Sequence, residues 1–167
     1  MMDANILGLD VFAFHMSMNP DEEESEVMFG DWNDERIDQT YNDDGELDWH
    51  PVKHKLFWSI ALDDILIDGE STGLCDNTDE ENPCYFTPDT GTSLSTFPTH
   101  AVREFDQRYP QYLNHPCDSE LFFGNLTYVI NGIEYPMPSH HWMSRRIVNN
   151  ETDTGECEHS FVGLDVN

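Results

Sequence analysis

Basic side chains are scarce in this chain of 167 residues: 7 Lys and Arg stand against 34 Asp and Glu, a formal net charge of −27. A field of that sign repels nucleic acid and anionic membrane surfaces, so neither is expected as a partner. Long hydrophobic runs are lacking too. Ile6 to Phe14 is short, contains Asp10 and follows no basic stretch, which makes it a poor signal peptide. No segment reaches the length of a membrane-spanning helix. The expectation is a chain that is either not exported or lacks its front. No C-x-x-C occurs, and no cysteine has a histidine at ligand spacing, which excludes the common zinc frameworks. Internal repeats, heptads, low-complexity tracts and a composition shift marking a second domain are all missing.

What is present argues for a folded chain. Ten Phe, 4 Trp and 6 Tyr supply large buriable surfaces, unlike a disordered acidic tail. The ordinary reading of the acidity is solubility. The functional one is service at low pH, where protonating carboxylates relieves self-repulsion. The cysteines Cys75, Cys84, Cys117 and Cys157 permit three pairings if all are oxidised. A Cys75–Cys84 bond would keep the acidic excursion Asp76 to Asn82 compact. Two sequons, at Asn125 and Asn150, would accept N-glycans in a secretory lumen. Together, cysteines and sequons lean towards an oxidising compartment.

The hydrophobic pattern is one of short strands. Leu9 to Met16 alternates, Val27 to Gly30 is strand-like, and Trp58 to Leu62 alternates cleanly. Ile65 to Ile67 ends at an Asp68-Gly69 turn signal, and Leu126 to Ile130 and Ile133 to Tyr135 flank the hairpin dipeptide Asn131-Gly132. Cys157 to Val166 reads as a late strand and turn. Pro98 to Tyr109 is the one good helix, with Ala101, Val102, Phe105 and Tyr109 on one face and Pro110 as its stop. The fold class expected is all-β.

Chemistry concentrates in Asp89-Thr90-Gly91-Thr92-Ser93, a carboxylate on a tight turn beside a strand. Gly91 lets backbone pass close by. The hydroxyls of Thr90, Thr92 and Ser93 are placed to satisfy the carboxylate and nearby amides, which favours the ionised form. Alone, D-T-G also reads as an ordinary Asx turn.

The wider context, D-T-G-T-S-L followed by a proline and a helix, resembles the second active-site motif of the pepsin and cathepsin D family. The resemblance runs nearly the whole chain, through Asp10 to Met16, Val27 to Asp31, Trp49 to Val52, Phe57 to Leu62, Asn131 to Met137 and Phe161 to Val166. It implies a pepsin-like bilobal β architecture. Residues 1–45 would be the end of the amino lobe and the inter-lobe strands, and 46–167 the carboxy-terminal lobe, truncated at its end. It also implies disulfides Cys75–Cys84 and Cys117–Cys157. The implied activity is aspartic-type endopeptidase, with no cofactor, acting on polypeptide in a lysosome-like, vacuolar or extracellular setting. Asp89 would be one of two catalytic aspartates, with Gly91 and Thr92 lining the substrate cleft.

Departures from the pattern limit that expectation. A second D-T-G and a flap tyrosine, both features of the amino lobe, are not in the chain, nor is the hydrophobic-hydrophobic-glycine strand of the carboxy lobe. Thr87-Pro88 stand where the family has two apolar strand residues, and Pro88 removes a donor from an expected interior strand. The isolated chain is therefore expected to be inactive without the missing amino lobe. Two alternatives are a catalytically silent peptide-binding module and a symmetric dimer contributing one aspartate per chain; length and the missing flap speak against the dimer.

Other clusters have ordinary readings. His140-His141 point apart if they lie on a strand, and with His15, His50 and His54 they read as surface histidines rather than a metal site. Asn42-Asp43-Asp44-Gly45 is similar to a calcium loop, but Thr40 and Pro51 occupy the first and twelfth positions, so a turn is expected. Asp21 to Glu24 and Asp79 to Glu81 read as solvated loops. Ser93 has no histidine at motif spacing, which leaves a serine hydrolase unsupported.

Overall fold

A computed structural model describes residues 6–17, 21, 23–37, 47–53, 56–76, 83–117, 123–148 and 152–165. The chain divides into two compact units, Met1–Trp49 and His50–Asn167.

In the first unit, β1 (Phe12–His15) pairs antiparallel with β2 (Glu26–Phe29), placing Phe12 opposite Phe29 and Phe14 opposite Val27. The strand expected from Leu9 to Met16 is thus shorter, because Leu7 to Asp10 bend. Gly30, at φ 80°, ends β2 and donates to the Val11 carbonyl at 2.8 Å.

The second unit holds the candidate site. Its strands β3 (Ile60–Leu62), β4 (Asp64–Ile67), β5 (Glu70–Ser71), β6 (Cys84–Phe86) and β7 (Ser95–Phe97) lead into α1 (Thr99–Arg108). Then follow β8 (His115–Pro116), β9 (Leu126–Ile130), β10 (Ile133–Met137), α2 (Ser139–Trp142), β11 (Met143–Val148), β12 (Thr152–His159) and β13 (Phe161–Gly163). The architecture is mainly β, as a pepsin-like lobe requires. One sheet runs β10-β9-β4-β5, another β11-β12-β8, and two pairs, β3-β6 and β7-β13, flank the candidate site. The β7–β13 pair is parallel.

Local chemistry explains the tight connections. Asn131 and Gly132 take φ 54° and 76°, both left-handed, as a two-residue hairpin between β9 and β10 demands. Asp68 and Gly69, at 51° and 84°, do the same between β4 and β5. Alternation along β4 buries Ile65 and Ile67 against Leu126 and Ile130 of β9. α1 turns Ala101, Val102 and Phe105 inward. Phe105 stacks edge-on with Phe161 at 5.1 Å, and Trp142 lies 5.0 Å from Tyr112 while donating its indole N–H to the Gly124 carbonyl. Trp142, Phe105, Ile65 and Leu126 are the largest fully buried side chains.

Disulfides join Cys75 to Cys84 and Cys117 to Cys157, which fits an oxidising, secretory setting. Three sequence expectations need correction. Pro88 does not interrupt a strand, because β6 ends at Phe86 and Pro88 is exposed beyond it. The late strand starts at Thr152 rather than Cys157 and bends at Ser160, whose N–H and hydroxyl both donate to the Trp142 carbonyl. His140 and His141 sit on the short helix α2, not a strand, so their rings do not diverge but lie 4.2 Å apart. Burial, then the neighbouring His140, pushes the His141 imidazole below its usual value. His54, Asn42 to Gly45 and Asp79 to Glu81 lie outside the described residues.

Candidate active site

Asp89 follows β6 across Thr87-Pro88 and opens a turn through Thr90-Gly91. Its Oδ1 accepts the Gly91 N–H at 2.8 Å and its Oδ2 accepts the Thr92 hydroxyl at 2.8 Å, while the Thr92 N–H reaches the Asp89 carbonyl at 3.4 Å. Both carboxylate oxygens are therefore engaged by donors that follow within three residues. The first of these bonds is the Asx turn that the bare motif allows. The Gly91 amide first, and the Thr92 hydroxyl second, hold Asp89 below the usual carboxylate range, with slight desolvation opposing them.

The need for glycine at position 91 is local. A Cβ there would stand 3.2 Å from Asp89 Oδ1, tighter than an ordinary contact, so a side chain would displace the oxygen that the Gly91 amide holds. Of the three hydroxyls expected to brace the carboxylate, Thr92 does so. Thr90 and Ser93 make no hydrogen bond to it among the described residues; Ser93 instead lines the adjoining groove.

That groove has a volume of about 340 Å³. Asp89, Thr87, Thr92, Ser95 and Tyr128 give it polar groups, and Leu94 and Phe97 apolar ones. Burial raises the Tyr128 phenol above its usual value, against a lowering bond from Ser95, so it stays a neutral hydroxyl. An exposed strip with both acceptors and apolar faces suits an extended chain carrying amides and side chains. β7 forms one wall. It is pinned by parallel pairing of Ser95, Thr96 and Phe97 with Phe161, Val162 and Gly163.

Sequence reasoning missed Asp165. Pro98 cannot cap α1 through its side chain, and Asp165 Oδ1 accepts the Thr99 N–H at 2.9 Å from 66 residues away. The Thr99 backbone and hydroxyl bonds, in that order, lower the Asp165 carboxyl below its usual range, with His100 and Arg103 adding smaller effects. No local signal could have found this cap. Asn125 is exposed at the entry to β9, with Thr127 of its sequon buried, and Asn150 lies outside the described residues. Histidines away from the groove have partners of their own. His15 Nε2 lies 3.3 Å from Glu23, and His50 is 3.0 Å from the Tyr135 hydroxyl.

An aspartate held by an amide and a hydroxyl on a glycine turn, between two β pairs, is the candidate site of this unit. Comparison with known proteins gives the family. The model of the eukaryotic aspartyl protease family matches residues 1–165, and the chain belongs to that family. Gastricsin of Callithrix jacchus is 32% identical over 145 residues, covering 83% of this chain and 34% of the relative. Pepsin-3 of Oryctolagus cuniculus is 33% identical over 145 residues, with the same shares covered. Pepsin A of Bos taurus is 29% identical over 170 residues, 98% of this chain and 40% of the relative. The chain thus spans between a third and two fifths of the length of these relatives.

Proposed function

We propose that this chain supplies one half of the active site of an aspartic-type endopeptidase, with Asp89 as its catalytic carboxylate. The observation that carries the reading is the bonding of both Asp89 oxygens, by Gly91 N–H and Thr92 hydroxyl, at the mouth of an open groove. Donors aimed at both oxygens favour the ionised state and fix the direction in which a proton can be taken.

The chemistry needs a second carboxylate, which the missing amino lobe would provide. Two carboxylates that close cannot both ionise, so they share a proton. The ionised member takes a proton from a water, whose oxygen attacks the peptide carbonyl. The protonated member donates its proton to the developing oxyanion; the proton taken from water then passes to the leaving nitrogen, and a hydroxyl proton of the adduct returns to the pair as the C–N bond breaks, releasing amine and acid. The pair titrates as a unit, so neither role belongs permanently to Asp89. Gly91 and Thr92 flank the bound peptide in this reading. Polypeptide is the substrate, acidic pH the working range, and a lysosomal, vacuolar or extracellular site the location. Asn125 and Asn150 are the proposed glycan acceptors.

The test uses the full-length protein on a denatured protein substrate at acidic pH, with and without pepstatin. Pepstatin-sensitive cleavage is expected, falling about 10³-fold or more in Asp89→Asn. The chain of 167 residues alone is expected to be inactive. Peptide binding without cleavage by the full-length protein would replace this reading with a silent binding module, and robust turnover by the isolated chain would overturn the need for a partner lobe.

A further inference from the structure

The bonds that shape the Asp89 turn are all internal to it, running from Gly91 and Thr92 back to Asp89. They fix the shape of the turn and not its place in the lobe. Its position must come from the two ends. On the far side the Ser95 N–H donates to the Ser160 carbonyl at 3.1 Å, and β7 enters the parallel pair with β13. On the near side the antiparallel ladder of β3 and β6 matches Leu62 with Cys84, Ala61 with Tyr85 and Ile60 with Phe86. One step further along that register Ser59 faces Thr87, and there the contact passes to side chains: Ser59 Oγ and Thr87 Oγ1 lie 2.7 Å apart. The next residue is Pro88, which has no N–H, so it can donate no ladder bond. From Thr87 to Leu94, among the described residues, the hydroxyl pair is the one hydrogen bond that ties this segment to another part of the fold.

Ser59 is a firm anchor. It is 4% exposed, and its carbonyl accepts the Lys53 N–H at 2.8 Å. Thr87 lines the groove beside Asp89, whereas Ser59 does not. A buried hydroxyl on a neighbouring strand thus holds the residue two positions before the carboxylate.

We propose that the Ser59–Thr87 hydroxyl pair is a positioning device for Asp89, setting the carboxylate's place in the lobe just beyond the end of the β3–β6 ladder. The inference rests on the endopeptidase reading for its kinetic consequence. Ser59 and Thr87 are positioning residues, because they act on the reaction through Asp89.

The experiment is a double-mutant cycle in the full-length protein with Ser59→Ala, Thr87→Val and both together, plus Thr87→Ser as rescue. Loss of the clasp is expected to lower kcat about 10- to 100-fold while KM changes less than about twofold, since a misplaced catalytic group loses rate rather than binding. The two single variants should match, the double should be no worse than either, and Thr87→Ser should recover most of the rate. Hydrogen exchange across residues 87–94 should rise in Ser59→Ala with the melting temperature nearly unchanged. A Ser59→Ala protein with unaltered kcat and unaltered exchange overturns the proposal, as do strictly additive effects. A rise in KM alone in Thr87→Val, with Ser59→Ala silent, overturns it in favour of direct substrate contact by Thr87. If the unmodified full-length protein cleaves nothing, the endopeptidase reading fails; the exchange comparison still decides whether the clasp holds the turn.

Discussion

At the residue scale, Asp89 behaves as a carboxylate prepared for ionisation by its own turn. Two donors favour the charged form, and each is removable by a substitution with a readable sign. Thr92→Val deletes the hydroxyl on Oδ2, which raises the Asp89 pKa, so on the proposed reading the acid limb of kcat/KM in the full-length protein should move to higher pH. A pH–rate series compared with the unmodified enzyme checks this; an unmoved or lowered limb would show that Thr92 does not set the titration. The same residues show why the motif could be read without a structure. Asp89, Gly91 and Thr92 act within a span of four positions, and a bond across so short a span leaves its mark in the local sequence. Thr90 and Ser93 read equally well as supports, yet neither reaches the carboxylate, because residue type alone does not say which way a hydroxyl points. Ser59 and Asp165 were illegible for a related reason. Their significance lies in what stands opposite, and nothing in the adjacent residues records it.

At the scale of the element, α1 joins a legible body to an illegible start. Its inward face of Ala101, Val102 and Phe105 follows from helical spacing, and Pro110 follows its end. Its amino end is completed by Asp165, from beyond β13. Because that carboxyl is held below its usual value, the sign of the pH effect is set. The bond stabilises the fold above the unfolded carboxylate pKa of about 4, and its contribution is lost as pH falls through the lower folded value. Asp165→Ala should therefore lower the melting temperature by a few degrees near about pH 6 and make little difference near about pH 2. Calorimetry of both proteins across that range is the check, and a gap that widens towards acid would contradict the assignment. The hairpins at Asp68-Gly69 and Asn131-Gly132 were readable because left-handed backbone selects few residues. α2 was not, since a four-residue helix has too little period to register. The long β11–β12 hairpin escaped notice for want of a comparable turn signal at its centre.

At the scale of the whole molecule, the two disulfides carry unequal weight. Cys117–Cys157 closes a separation of 40 residues and Cys75–Cys84 one of 9. Loop-closure entropy assigns them about 3.9 and about 2.6 kcal/mol, so replacing the Cys117–Cys157 pair by serines should cost about 1.3 kcal/mol more than replacing the other. Denaturant titrations of the two double-serine variants test the order; the reverse order would mean that strain or residual unfolded structure outweighs entropy. A last consequence follows from the parallel pairing of β7 with β13 and the cap from Asp165 to Thr99, partners 66 residues apart. Translation delivers the Asp89 turn long before its far anchor. While the ribosome is still making the intervening residues, the wall of the groove has no neighbour to pair with, and the half-site stays open to attack. A nascent chain arrested before Phe161 should be cut readily within residues 87–97 by an added protease, and one released beyond Asp165 should resist. Equal resistance in both would mean that the turn matures without β13. For this lobe, the order of synthesis makes the Asp89 segment one of the early parts to be made and one of the late parts to be finished.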